Sequence, residues 1–259
     1  MRNSSELKAE AREVMIGKYG SAIGVLFLVS FLSYSISSIL DLILKGSNSY
    51  NVTRMIQNGG ILDDLSLLGN GSLTGIAMEI ILLLLFSVFI TGESRFFLNI
   101  CRGQEYSIKD IFFAFKNNPD KTILVYIWMC LESLLPLLPF IVSFIGFALL
   151  ESPVLLIVSV IAFIAGMIGT CYVSFGFFPC FYMLSDDPSL GVTVIVGHSK
   201  ALMKGKRFRF FYLCASFLGL YALGLLSLGI AYLWIKPYMD AAFAEFYIDL
   251  IKNENQEEP

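Results

Sequence analysis

Long apolar stretches alternate with short polar and basic segments along this chain. A helix that spans a lipid bilayer needs about 20 mostly apolar residues. Four stretches come close to that length or exceed it, and we expect membrane spans at about residues 21–44, 73–91, 123–149 and 153–182. The pattern therefore predicts an all-α, polytopic transmembrane helical bundle.

The last apolar region, residues 208–235, is too long for one span. A single helix of that length would rise about 42 Å, which exceeds a hydrocarbon core of about 30 Å. We expect span five at 208–226, a turn near 227–229, and span six at about 230–250. Span six contains charged residues, so we expect it to be partly interfacial or shielded by other helices. Five spans are the alternative.

Composition supports a membrane location. Hydrophobic residues make up 56% of the chain and charged residues 15%, and the mean hydropathy is +0.73. A soluble domain carries about 25% charged residues. The net charge of −3 provides no attraction to nucleic acid, so we expect membrane lipids, and another membrane protein, as partners instead.

Basic residues predict the orientation of the spans. Most Lys and Arg residues precede span one, or lie between spans two and three or between spans four and five. The positive-inside rule places these segments in the cytoplasm, together with the N-terminus. With six spans the C-terminus is cytoplasmic as well.

A short basic segment of amphipathic pattern precedes each odd-numbered span, at residues 12–18, 108–116 and 200–206. We therefore expect three units, each with a cytoplasmic surface helix followed by a helical hairpin. Asp187 and Pro188 should begin the third surface helix, since these residues suit the N-cap and first helical positions. The alternative is that basic loops simply satisfy the positive-inside rule.

Basic amphipathic helices favour the anionic lipids of the cytoplasmic leaflet. We therefore expect lipid-headgroup contacts from the basic residues around the third segment. These are Lys200, Lys204, Lys206, Arg207 and Arg209.

Four charged residues within the predicted spans form the candidate intramembrane polar site: Glu132, Glu79, Lys236 and Asp240. Charges at the centre of a bilayer cost about 2.5–3.5 kcal/mol and are often functional. Glu132 should lie near mid-membrane, just before Pro136 and Pro139, which should break the helix as in transporter sites. The alternative is a hydrogen-bonded, structural Glu132.

The other charges have simpler explanations. Glu79 lies nearer the outer surface, where it can snorkel or pair. Lys236 and Asp240 are four residues apart and can pair on one helix; alternatively, Lys236 neutralises Glu132. The small residues Ala162, Gly166, Thr170 and Ser174 allow close helix packing, inside the bundle or at a dimer face.

Catalytic and metal-binding signatures are missing from the sequence. His198 is the single histidine, and the five cysteines form no CxxC pair, so neither a zinc site nor a Ser–His–Asp set is expected. We predict no catalytic residues, no metal, no cofactor and no enzymatic activity. We also predict one domain over 1–252, a mobile outer loop at 45–72 with a short helix near 52–57, and a disordered tail at 253–259.

Several short motifs resemble a known family. They are Ser5–Arg12 and Gly17–Gly20 near the start, Phe112 with Ala114–Lys116 in the middle, and Asp187-Pro188, Ser199-Lys200, Leu202-Met203, Gly205, Ser216-Phe217, Gly219, Leu228–Ile230, Trp234, Pro237-Tyr238 and Phe246-Tyr247 in the last third. Their order and spacing resemble the bacterial membrane-protein family catalogued as domain of unknown function 975. One departure is Leu220, where the family pattern has Trp.

The resemblance implies a six-span protein of a bacterial cytoplasmic membrane, with no established activity. It extends more distantly to the non-catalytic membrane domain fused to some glycerophosphodiester phosphodiesterases. The sequence thus favours a protein that binds lipid or a partner membrane protein as an accessory factor. The alternatives are a small secondary transporter or channel with Glu132 at a midplane site, and a membrane-embedded lipid enzyme.

Overall fold

The computed structural model of the chain describes residues 2–58 and 65–257, with the side chains of 2–39, 80, 82–254 and 256. Every regular element in these ranges is helical. In chain order they are α1 (Ser4–Met15), α2 (Tyr19–Asn58), α3 (Leu65–Cys101), a 3₁₀ segment (Ile108–Phe112), α4 (Phe113–Lys116), α5 (Pro119–Leu134), a 3₁₀ turn (Leu135–Leu137), α6 (Leu138–Leu150), α7 (Pro153–Asp186), α8 (Val192–Leu202), α9 (Arg207–Ala215), α10 (Leu218–Leu226) and α11 (Tyr232–Glu257).

Five segments among the described residues are long and apolar enough to cross a membrane. They are Tyr19–Ile39, Leu82–Cys101, Pro119–Leu150, Pro153–Asp186 and Arg207–Leu226. Such helices indicate a membrane protein. Four of them overlap predicted spans one, three, four and five closely. The second overlaps the predicted 73–91 over residues 82–91, and the side chains of 73–79 lie outside the described residues.

The predicted sixth span falls on α11, which is not among the five segments. Ala241, Ala244 and Phe246 of α11 are fully buried. The charged residues Glu245 and Asp249 are 5% and 3% exposed. The helix packs against α1, α2, α3 and α8. These two charges therefore face protein, as expected for a helix that is shielded by its neighbours.

One end of the bundle is densely packed. There the Ser185 hydroxyl donates to the Thr91 carbonyl at 3.0 Å. Arg102 donates to both carboxylate oxygens of Asp186 at 2.5 and 2.9 Å, and Tyr247 donates to the same carboxylate at 3.1 Å. The hydrogen bonds that Arg102 donates to Asp186 raise the pKa of the Arg102 guanidinium. The contacts hold the ends of α3 and α7 against α11.

The helices α6 and α7 form a hairpin whose contact side carries the small residues of α7. A Cβ on Gly166 would lie 2.9 Å from the Pro136 carbonyl oxygen. Thr170 donates to the Ser133 carbonyl at 2.8 Å, and the Ser133 and Ser174 hydroxyls lie 3.1 Å apart. The expectation of packing inside the bundle is confirmed for these residues.

The two interruptions predicted by proline and glycine are also present. A 3₁₀ turn containing Pro136 separates α5 from α6. The turn after α10 contains Leu228 and Gly229, both with positive φ, 53° and 91°, a conformation that glycine adopts readily. An additional break at residues 216–217, between α9 and α10, had no signal in the sequence.

Three predicted boundaries are wrong. The third surface helix, α8, begins at Val192 after Gly191 rather than at Asp187, because the Asp187 carboxylate accepts the Ser189 N–H at 2.9 Å within a turn. Residues 45–58 and 65–72 of the predicted mobile loop are helical, since no proline stops α2. Residues 59–64 lie outside the described residues.

The third correction concerns residues 253–257 of the predicted disordered tail, since 258–259 lie outside the described residues. The helix α11 continues through Glu257. The Asn253 side chain donates to the Asp249 carbonyl at 2.5 Å, and Glu254 lies 2.8 Å from the His198 ring. These contacts extend the helix beyond the point where its apolar residues end.

The helix α1 has a different partner from the predicted one. Its apolar residues Leu7, Ala11 and Met15 are fully buried, mainly against α11. Arg2, just before α1, contacts Glu245 at 3.1 Å and Asp249 at 3.3 Å. The expected surface helix therefore buries its apolar face in protein instead of lipid.

Candidate functional site

Glu132 forms an ion pair with a helix that is distant in sequence. The Lys200 ammonium of α8 lies 2.6 Å from each Glu132 carboxylate oxygen. The Trp128 indole N–H, one turn earlier on α5, donates to Glu132 at 2.6 Å. Lys200 also lies 4.8 Å from the centre of the Phe177 ring. Glu132 is thus a paired and hydrogen-bonded carboxylate, and the alternative partner Lys236 does not contact it.

An apolar groove of about 560 Å³ runs along α5 beside this ion pair. We call it the α5 groove, and its lining residues are Leu124, Ile127, Trp128, Leu131, Glu132, Leu135 and Val192. Leu124, Leu131 and Leu135 are more than half exposed. The α5 groove therefore combines an accessible apolar wall with one carboxylate, an indole N–H and the neighbouring ammonium.

Glu132 lies far from the turn that joins α6 to α7. At 1.5 Å per residue, the helical path from Glu132 to Glu151 is ~28 Å. The hydrocarbon core of a bilayer is about 30 Å thick. The path along the helices from that turn to Glu132 is thus nearly as long as the full thickness of the membrane core, rather than half of it.

The five predicted headgroup contacts divide into two groups. Lys204 is exposed and Lys206 is half-buried, and neither forms an ion pair with the described residues. Arg207 donates to the Tyr172 carbonyl at 3.2 Å and lies 4.2 Å from the centre of its ring, while its Nε–H has no hydrogen-bond partner among the described residues. Lys200 and Arg207 are the basic residues of this group that act on Glu132 of the α5 groove.

Arg209 belongs to the structural group instead. Its guanidinium donates to Asp249 of α11 at 2.5 Å and also bonds the Arg2 carbonyl. It therefore joins α9, α11 and the N-terminal segment. The prediction that Arg209 contacts lipid headgroups finds no support in this position, because its charge faces protein.

Lys236 and Asp240 pair on α11 as expected for residues four apart, with Nζ–O distances of 2.6 and 2.5 Å. The side chain of Lys236 is 43% exposed and that of Asp240 is 13% exposed. Both line a cavity of about 380 Å³ between α3, α5, α7, α9 and α11. Glu93 of α3 lines the same cavity. We call it the Glu93 cavity.

Two groups important to these sites were missed in the sequence. Glu93 was placed just outside span two, although a longer helix would have brought it into the bundle. Trp128 stands one turn before Glu132, and the i, i+4 spacing could have indicated its hydrogen bond. The side chain of Glu79, by contrast, lies outside the described residues.

No metal-binding cluster was found among the described residues: nowhere do three or more His, Cys, Asp or Glu side chains converge. All five cysteines are free thiols. His198 lies beside Glu254 at 2.8 Å, on the exposed side of α8. The α5 groove and the Glu93 cavity instead offer charge and apolar contact.

Comparison with known proteins gives a family and nothing more specific. No curated protein and no solved structure matches the chain. A family model described as "Protein of unknown function (DUF975)" matches residues 1–254, which is nearly the whole chain. This chain therefore belongs to the DUF975 family.

Proposed function

We propose that this protein is a six-span protein of the bacterial cytoplasmic membrane that binds a phospholipid and acts as a non-catalytic accessory factor. The observation that carries the proposal is the α5 groove beside Lys200. Its apolar wall suits an acyl chain, and the ammonium beside it suits a phosphate. Phospholipids combine these two chemical groups in one molecule.

The charge around the α5 groove favours a phosphate. Four basic side chains lie on α8, on the turn after it and at the start of α9: Lys200, Lys204, Lys206 and Arg207. Glu132 neutralises Lys200, and the other three form no ion pair with the described residues. The excess positive charge attracts anionic groups at a membrane surface.

The distance from Glu132 to the α6–α7 turn also supports a position of the α5 groove near a membrane surface. If that turn lies at the outer membrane surface, Glu132, Lys200 and Tyr172 lie near the inner one. Trp and Tyr are enriched at this depth, where lipid phosphates also lie. A paired carboxylate near the inner surface fits lipid binding better than the alternative of a midplane transport site.

The contact between the two ends of the chain supports six spans. Arg2 bonds Asp249 and Glu245 near the end of α11, which favours an arrangement with both ends on one side of the membrane. An even number of crossings gives this arrangement, and this supports six spans over five. We infer three helical hairpins: α2 with α3, α5 and α6 with α7, and α9 and α10 with α11.

The proposal can be tested by native mass spectrometry of the intact protein, extracted gently from its own membrane. The wild type should retain a phospholipid. Lys200→Gln should lower the retained fraction several-fold, because the phosphate loses its cationic partner. Glu132→Gln should raise retention of anionic phosphatidylglycerol, because it frees Lys200 from its ion pair.

The matched control is Lys252→Gln, which removes an exposed ammonium at the far end of α11 and should leave retention unchanged. Thermal unfolding in detergent checks that each variant is folded. Equal phospholipid retention by wild type and by folded Lys200→Gln would contradict the proposal. A retained companion protein in place of lipid would favour an accessory subunit that binds protein.

A further inference from the structure

The Glu93 cavity has an unusual combination of charge and walls. Three ionisable side chains line it: Glu93 from α3, and Lys236 and Asp240 from α11. Both Lys236–Asp240 distances are short, 2.6 and 2.5 Å, so these two charges neutralise each other. Glu93 forms no hydrogen bond or ion pair with the residues that the structure describes. With two carboxylates and one ammonium in its lining, the cavity therefore has one negative charge in excess when all three groups are ionised.

The walls of the cavity are aromatic. Eight of its fifteen lining residues are Phe or Tyr, so ring faces and edges make up most of its surface. Phe178 is central, with its ring centre 5.3 Å from that of Tyr182 and 5.9 Å from that of Phe243. Aromatic rings attract cations through their negative faces, most strongly when water is excluded.

The size of the cavity also restricts the ligand. Ligand-binding pockets commonly measure about 300–1,000 Å³, and a cavity of about 380 Å³ lies at the small end of this range. It has space for a small organic molecule and is large for a bare metal ion. A compact organic cation satisfies the charge, the walls and the volume together.

We propose that the Glu93 cavity binds a small organic ammonium ion, with the Glu93 carboxylate as its counter-charge and the rings of Phe178, Tyr182 and Phe243 around it. The Lys236–Asp240 pair forms the polar part of the wall and accounts for no net charge. The Glu93 cavity shares no lining residue with the α5 groove, so the two proposals stand or fall separately.

Radiolabelled choline is the probe, in equilibrium dialysis against the full-length protein in detergent. Binding should be saturable, and tetramethylammonium should displace it. The neutral isostere 3,3-dimethyl-1-butanol, which has the same shape without the charge, should not. Equal displacement by the neutral isostere, or no saturable choline binding by the wild type, would overturn the proposal.

Variants locate the site. Glu93→Gln should weaken choline binding at least tenfold, and the exposed Glu105→Gln should leave it unchanged. Phe243→Leu keeps both carboxylates and should weaken binding several-fold through loss of one ring. Choline binding of wild-type strength by folded Glu93→Gln would place the ligand elsewhere. If both cavity variants fail to fold, displacement by the neutral isostere still tests whether the wild type binds choline through its charge.

An ammonium group can come from a free cation or from a phospholipid headgroup. The same assay in nanodiscs of phosphatidylglycerol, with and without phosphatidylethanolamine, separates these sources. Loss of choline binding when phosphatidylethanolamine is present would identify the headgroup as the natural ligand. Unchanged binding would identify a free organic cation.

Discussion

Gly92 determines how closely the segment of residues 108–112 approaches α3. A Cβ at this position would lie 2.1 Å from the Ile111 carbonyl oxygen and 2.6 Å from its carbonyl carbon. Both are backbone atoms, so the neighbour cannot move aside by changing a rotamer. A single hydrogen in place of a methyl group thus permits the contact between α3 and the loop that joins it to α5.

Gly92→Ala should therefore destabilise the protein by about 1–3 kcal/mol, the usual cost of overpacking. The measurement is thermal unfolding in detergent. Gly24→Ala on α2 is the matched control, since nothing lies within 4 Å of a Cβ built there, and it should be neutral or slightly stabilising. Equal stability of the two variants would show that the segment can withdraw from α3 without cost.

The residue contacts that were predicted correctly from the sequence lie within one helix or at a contact between small residues. Lys236 and Asp240 pair at i, i+4, and Gly166 packs against the turn at Pro136. Lys200 could not be matched to Glu132, because the two are far apart in the chain. Glu93 was missed because a residue's depth depends on how far its helix continues past the apolar stretch.

At the level of elements, α1 shows what an amphipathic pattern leaves open. The spacing of Leu7, Ala11 and Met15 identifies an apolar face, but it does not distinguish a lipid surface from a protein surface. The structure buries this face against α11. The long apolar helices were easier to predict, because length and composition alone determine whether a helix can span a bilayer.

The position of α1 leads to a prediction about proteolysis. Leu7→Ala should cost about 2–5 kcal/mol, as other large-to-small changes in a core do, and should loosen α1 from α11. Trypsin should then cleave faster at Arg12 and Lys18, which flank the end of α1. Glu13→Ala, an exposed change on the same helix, should keep the wild-type cleavage rate. Equal rates for both variants would show that α1 is held by its ion pairs alone.

For the whole molecule, the contact of Arg2 with Glu245 and Asp249 joins the two ends of the chain. A reporter fused after α11, and fluorescent only in the cytoplasm, should therefore be active, as six spans require. A reporter active only outside the cytoplasm should give no signal at the same point. The reverse result would show five crossings and would contradict the contact itself.

The same contact has a consequence for biosynthesis. The hydrogen bond from Arg2 to Asp249 joins residues 247 positions apart, so α1 emerges from the ribosome long before its partner. At about 5–20 residues per second, α1 waits on the order of ten seconds or more for α11 to be made. During that interval its apolar face has no protein to cover it, and the membrane surface is the nearest apolar phase. The lipid-bound helix that the sequence predicts would then be the nascent form of α1, and its transfer onto α11 one of the last steps of assembly.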